Sequence, residues 1–449
     1  MREVLVKNEE FKDSPVGRIP TDWEVKTLGD CAFITKLAGF EYTNYFDYFQ
    51  QGEVIALRVL NIRNGALDLS VVQSIPRKVS KQLSRSALSK GDLVISYVGT
   101  IGEVALIEED ERFHLAPNVA KISPNLAIIT SRFLLTQILS QAVQKRLLDL
   151  STLTSQPALS MSRLRQLTIA LPSFSEQRRI AEILDTVDEA IARTSSLIIK
   201  LKQTKAGLLQ DLLTRGLDEN GKLRDPQAHP EQFKDLALGR IPQEWTVKEF
   251  GEYVAHLDSG WSPICEAEPV ANGEWGVLKT TAVVWSGYNP SESKKLPSNL
   301  EPRYSAVVET DDILITRKGP RERVGVVVHI PSTPANLMMP DTVFRVRLKE
   351  SSPLLPAFIP LTLGSVAVQQ DWNRKKVGLA EAQVDINYGI VRETIIYIPP
   401  KSEQKYIIQI LNTYDTRIRT EETYLNKLKL QKQGLMQDLL TGKVRVKNL

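Results

Sequence analysis

The side chains in this 449-residue sequence whose types and spacing suit a chemical task are cations, amides and hydroxyls in loops. The densest set is Arg317-Lys318-Gly-Pro-Arg321-Glu-Arg323, four cations against one glutamate around a Gly-Pro turn. Lys and Arg neutralise phosphates, and Arg, Asn and Gln match base edges with paired hydrogen bonds. The expectation is a loop that faces nucleic acid, with a merely solvated loop as the alternative. A second basic run, Arg374-Lys375-Lys376, precedes an expected strand, and Thr152 and Thr154 occupy the matching loop earlier in the chain. Arg58 and Arg63 flank Asn61 at the edges of an apolar segment, and Lys279-Thr280 hold a similar position later. Six aromatics fall within Phe40–Phe49. Such a cluster suits a core, yet Tyr42 and Tyr45, beside Asn44, are also candidates for contact with bases or sugar–phosphate.

Other chemistries find no footing. Cys31 and Cys265 make no disulfide framework, and His114, His229, His256 and His329 are too scattered for a zinc pattern, so no metal site is expected. There is no GxxxxGK[ST] phosphate loop and no glycine-rich dinucleotide fingerprint. Ile398-Pro399-Pro400 runs into Lys401 and so lacks the aromatic of an adenine-methyltransferase box, and Pro340-Asp341 has no acidic-x-Lys partner nearby. No catalytic residue and no cofactor are assigned. Lys and Arg number 57 against 53 Asp and Glu, a balance of +4 that excludes a polycationic coat but permits local basic surfaces. The charged N-terminus is unlike a signal peptide, and a reducing cytoplasm is expected. The uncharged stretch Ser351–Gln370 is broken by Pro353, Pro356 and Pro360, so no membrane span is expected.

The elements that must position these residues occur twice. Phe11 to Gly29, with Gly-Arg-Ile-Pro-x-x-Trp, recurs 222 residues later as Phe233 to Gly251. Gly91–Gly99 matches Asp311–Gly319 at an offset of 220, and Phe133–Gln144 matches Phe358–Gln369 at 225. Ser175–Thr214 matches Ser402–Thr441 at 227, with half of the 40 positions identical. Two copies of one unit account for such a steady offset. The basic hairpin tip at Arg317 therefore corresponds to Tyr97-Val-Gly-Thr100 in the first copy. Differing tips on a shared scaffold are what two different half-sites would require, so Tyr97 and Thr100 join the candidates.

In each copy short β-branched runs (Leu93–Val98, Val104–Ile107, Leu167–Leu171; Ile313–Arg317, Val324–Ile330, Thr394–Ile398) read as strands of an α+β module. A long periodic segment follows, with Ser175 and Ser402 as expected N-caps. Steps of four and three give Ile180, Leu184, Val187, Ile191, Thr194, Ile198, Leu201, Lys205, Leu208 and Leu212, and the second copy gives Ile407 to Leu439 likewise. Eight of ten positions are apolar in each, a coiled-coil seam. Lys205 and Lys432 stand at the same seam position and are expected to snorkel from it. Each stripe's obvious partner is the other; the alternative is that each helix packs on its own module. Antiparallel pairing would set two similar modules at opposite ends of a rod, a geometry suited to duplex DNA.

The Ile-Pro-x-x-Trp entry, Gly99-Thr-Ile-Gly102, Pro172-Ser-Phe-Ser-Glu-Gln-Arg-Arg-Ile180 and Ile398-Pro-Pro-x-Ser-Glu-Gln404 resemble the specificity (S) subunit of type I restriction-modification systems over nearly the whole chain. The resemblance implies two target-recognition domains, 1–172 and 233–400, alternating with helical regions 173–232 and 401–449 that form an antiparallel coiled coil. It implies that each domain reads one half of a bipartite, asymmetric target in double-stranded DNA across a non-specific spacer. It also implies two methyltransferase (M) subunits docked on the helices, with Gln210-Asp211 and Gln437-Asp438 as candidate contacts, and restriction (R) subunits joining through the complex. The alternative is a coiled-coil protein-interaction scaffold carrying two ligand-binding modules. A self-sufficient restriction or methylation enzyme lacks the motifs it needs.

Overall fold

The computed structural model describes residues 5–7, 10–50, 52–152, 157–236, 239–265, 268, 270–380 and 383–446. The chain divides into two compact units, one made of Met1–Ser196 with Glu422–Leu449 and the other of Leu197–Glu421. Both boundaries fall inside long helices, Phe174–Thr214 and Lys401–Leu440, so each unit holds one part of each helix.

In the first unit, Leu93–Ser96 lies between Val104–Leu106 and Val119–Pro124, and Ala32–Lys36 forms the far edge of that four-stranded antiparallel sheet. Every residue of Leu93–Ser96 is buried, which is why the run is continuously apolar rather than alternating. A second sheet pairs Val54–Leu57 in parallel with Phe113–Leu115 and antiparallel with Ser74–Ile75. The second unit repeats the plan. Ile313–Thr316 lies between Val327–His329 and Val343–Leu348, with Val254–Ser259 beyond, and Gly276–Leu278 pairs in parallel with Leu337–Met338.

The helices match the expected period. All ten seam positions of each are buried or half-buried, from Ile180 and Ile407 at one end to Leu212 and Leu439 at the other. In the first unit Ile180 and Leu184 share a core with Leu439 and Leu440, and Lys432 Nζ bonds Asp188 Oδ1 at 2.6 Å. In the second, Leu212 shares a core with Ile407 and Leu411, and Lys205 Nζ bonds Asp415 Oδ1 at 2.5 Å. Within each unit the two helix segments therefore run antiparallel. Lys205 and Lys432 do more than snorkel: each is held by a carboxylate one helix away. The caps differ from expectation. The first helix starts at Phe174, and the Ser173 hydroxyl, not that of Ser175, accepts from Glu176 N at 3.3 Å. The second starts at Lys401, directly after Pro400, with Ser402 already inside its first turn. The proline-interrupted stretch after Ser351 folds as short helical segments, and among the described residues no helix is long and apolar enough to cross a membrane.

The repeated motifs turn out to be joints of the fold. Trp23 Nε1 donates to Glu176 Oε2 at 3.1 Å, and Trp245 Nε1 donates to Glu403 Oε2 at 3.1 Å. The Ile-Pro-x-x-Trp and Ser-Glu-Gln signatures thus meet in each unit. The buried carboxylates are matched by Arg445 (Nε to Glu176 Oε1, 2.7 Å) and Arg224 (Nη1 to Glu403 Oε1, 2.8 Å). Burial opposes the charge on Arg445, yet its bonds to Glu176 and Asp22 carry its pKa above the ordinary arginine value. Gln177 accepts from Thr130 N and donates to Ile128 O and Pro172 O; Gln404 does the same with Leu355 N, Pro353 O and Pro399 O. Gln144 Nε2 donates to Gly102 O and Gln369 Nε2 to Gly325 O, each at 2.9 Å, which accounts for the repeated Ala-Val-Gln.

Candidate nucleic-acid interface

One frame holds the hairpin tip in both units. Tyr97 N donates to Asn118 O and Tyr97 O accepts from Leu159 N; Arg317 N donates to Thr342 O and Arg317 O accepts from Ile386 N. Inside the turn, Ser96 Oγ donates to Thr100 O and Thr316 Oγ1 to Arg323 O, each at 2.5 Å. Thr100 and Arg323 therefore end the same turn, which is three residues longer in the second unit. A common β-frame thus presents different side chains at one place.

In the first unit the tip borders a groove of about 890 Å³ whose lining includes Tyr42, Arg58, Arg63, Thr100 and Asn118. Four sequence candidates (Tyr42, Arg58, Arg63 and Thr100) converge there. Arg58 follows Val54–Leu57, Arg63 ends the strand Ile62–Arg63, and Tyr42 lies on the helix Gly39–Tyr45. Arg58 Nη2 donates to Val71 O at 3.2 Å, and its Nε is buried without a hydrogen-bond partner among the described residues. Tyr48, also on the groove, has its phenol pushed up to about 12, chiefly by burial. Asn61 does not reach the groove: it is fully buried, accepting from Arg58 N and donating to Asp68 O and Val71 O, and it supports the Arg58 backbone from below. Asn44 and Tyr45 are exposed on the same helix as Tyr42, beyond the groove lining. Tyr97 carries the Lys36 ammonium 5.1 Å from its ring centre. Thr152 is tied to Ala158 through backbone and hydroxyl, while Thr154 lies outside the described residues.

In the second unit two basic runs, 57 residues apart in sequence, meet. Arg321 Nη1 donates to Asn373 O at 3.1 Å, and Lys376 Nζ donates to Arg321 O at 2.9 Å. Burial, then the neighbouring Arg321, holds the Lys376 ammonium below the ordinary lysine pKa. Arg323 and Arg374 are exposed, and Lys375 Nζ sits 2.7 Å from Asp371. Lys318–Gly319 pairs with Gln383–Asp385, placing the half-buried Arg317 3.3 Å from Asp385 and 5.1 Å from the Phe344 ring centre. Thr280 joins through Thr342, its hydroxyl 2.7 Å from that of Thr342, and Lys279 lies 3.5 Å from Glu292. Sequence reasoning missed Asn64, Gln73, Glu103 and Asn118 on the first groove, and Thr342 and Asp385 in the second unit. The Asn64-Gly65 pair signals a hairpin turn, and both Asn64 and Asn118 have positive φ, but nothing local says what they face.

Among the described residues no group of three or more His, Cys, Asp or Glu is placed to hold a metal ion. Each unit thus gathers cations, amides and hydroxyls on its hairpin frame, and comparison with known proteins identifies the class. The model of the type I restriction modification DNA specificity domain matches residues 20–203 and again 244–430, and the chain belongs to that family. It is 33% identical to the type I restriction enzyme EcoEI specificity subunit of Escherichia coli over 49% of this chain and 36% of that one. It is 25% identical to the type I restriction enzyme MjaVIII specificity subunit of Methanocaldococcus jannaschii, over 99% of this chain and 98% of that one. The S subunit of the type I restriction-modification system from M. genitalium shares the fold at a TM-score of 0.56 and 15% identity, across 93% of this chain and 96% of that one.

Proposed function

We propose that this chain addresses a type I restriction-modification complex to DNA, with residues 1–172 and 233–400 each reading one half of a bipartite, asymmetric target. The observation that carries this reading is the shared hairpin frame at Tyr97 and Arg317, which offers an amide- and arginine-lined groove in one unit and a cluster of cations in the other. A common frame sets where DNA lies; differing side chains set which bases it accepts. The chain performs no reaction of its own and works in the cytoplasm. Methylation comes from two M subunits docked on the helical regions 173–232 and 401–449, and cleavage from R subunits that join the complex. The helices act as the ruler that sets the spacer.

Methylome sequencing of DNA modified by this chain co-expressed with its M subunits tests the proposal. The expected result is one motif with two unlike half-sites at fixed spacing. Methylation without a split motif, or none above the M subunits alone, would overturn it and favour a protein scaffold.

A further inference from the structure

We infer that Glu103 is a specificity-determining residue of the first unit, accepting a hydrogen bond from the exocyclic amino group of an adenine or cytosine in that unit's half-site. The inference rests on the reading of the chain as a DNA specificity subunit and goes on to assign one base to one side chain. Glu103 lines the groove with Arg58, Arg63, Gln73 and Asn118. Its Oε2 accepts from Asn64 N at 2.9 Å, and among the described residues Oε1 has no hydrogen-bond partner. The side chains of Arg63, Gln73 and Asn118 are likewise without hydrogen bonds among the described residues.

A carboxylate is the wrong group to face a phosphate backbone, since both are anionic and a screening distance of about 8–10 Å does not separate touching charges. It suits a base edge that donates. In the major groove those edges are adenine N6 and cytosine N4, whereas guanine O6 and thymine O4 only accept.

The second unit shows that the fold does not require an acid here. At the place of Glu103 stands the buried Val326. The bond that fixes the backbone is kept: Glu103 N donates to Ser96 Oγ at 3.0 Å and Val326 N to Thr316 Oγ1 at 2.8 Å. The second unit also turns its equivalent hairpin, Val283–Val284 with Gly287–Tyr288, without a carboxylate in this position. What remains for Glu103, beyond steadying Asn64, is a second carboxylate oxygen on a side chain that lines the groove.

The test uses the full chain with its M subunits, carrying Glu103→Gln or Glu103→Ala. Glutamine keeps an oxygen for Asn64 N and replaces the other with an NH2 donor. Target motifs are read by methylome sequencing, and relative affinities by competition among duplexes varied one base pair at a time. With Glu103→Gln, one position of one half-site should shift from an amino-bearing to a keto-bearing base, by on the order of tenfold in relative affinity. Glu103→Ala should lose discrimination at that position alone. The other half-site and the salt dependence of binding should not move. If both variants keep the wild-type preference at every position, or weaken the whole half-site evenly with a fall in melting temperature, Glu103 is a structural tether and the assignment is wrong. A wild-type complex with no split motif would overturn the specificity reading and this assignment together.

Discussion

In the second unit Lys205 Nζ lies 2.5 Å from Asp415 Oδ1, and in the first Lys432 Nζ lies 2.6 Å from Asp188 Oδ1. Going 17 residues forward from Asp188 to Lys205 goes 17 residues back from Lys432 to Asp415. Within each unit the pair marks the antiparallel alignment of that unit's two helix segments. Each is partly exposed, so each is worth only about 0.2–1 kcal/mol, and their use is to fix alignment rather than to supply stability. Lys205→Asp should lower the melting temperature by no more than a few degrees, and adding Asp415→Lys should recover most of that loss. A charge swap that recovers nothing would show that the pair does not set register.

Adding one heptad to each long helix keeps the seam and the register. Seven residues lengthen a helix by about 10 Å at 1.5 Å per residue, equivalent to roughly 3 base pairs at 3.4 Å. Methylome sequencing should report a longer spacer between unchanged half-sites. An unchanged spacer would remove the helices from the role of ruler.

Arg445→Met leaves Glu176 buried with the Trp23 indole as its main remaining side-chain partner. Breaking a buried ion pair from one side costs about 3–5 kcal/mol, and adding Glu176→Gln should lessen the loss. Chemical denaturation of the two variants checks this, and the first unit should be the one affected because Asp22, Trp23, Glu176 and Arg445 all belong to it.

Arg323→Gln with Arg374→Gln removes two exposed cations from the second unit's surface. If both meet phosphate, the slope of log affinity against log salt should fall by about 0.9 for each phosphate no longer neutralised. Binding should weaken about equally on all sequences. A loss confined to one base position would instead make them base readers.

Gly102 has φ +89°, and a Cβ built there would come within 2.5 Å of Gln144 Oε1. Gly102→Ala strains the turn and pushes away the amide that holds it, so a loss of more than about 1 kcal/mol is expected. Thermal melting measures it. Gly99, also at positive φ but with open space around it, should suffer the conformational strain alone.

The long helices were legible because their signal is periodic and local: the seam read from Ile180 to Leu212 is the face that is buried. Strands such as Ile313–Thr316 were legible for a similar reason, as apolar runs bounded by polar turns. The first helix cap was misplaced by two residues, since Ser173 and Ser175 are chemically alike and only backbone geometry separates them. What the signatures do was hidden. Trp23 meets Glu176 across 153 residues and Arg445 meets Asp22 across 423, distances at which composition and spacing carry no information. The clustering of the candidate residues was not readable from the sequence: Arg321 and Arg374–Lys376 each looked basic, but the bond to Asn373 that brings them together is a tertiary fact. Glu103 was invisible because its meaning depends on the groove it lines.

The Arg445–Glu176 joint also bears on how the chain is made. The second unit is one continuous stretch, Leu197–Glu421, whereas the first waits for Glu422–Leu449. A ribosome would therefore release every part of the second unit while the first, begun earlier, still held Glu176 and Asp22 without the arginine that neutralises them. Synthesis order and completion order are reversed, and a chain truncated before Arg445 would be damaged first in the unit that was begun first.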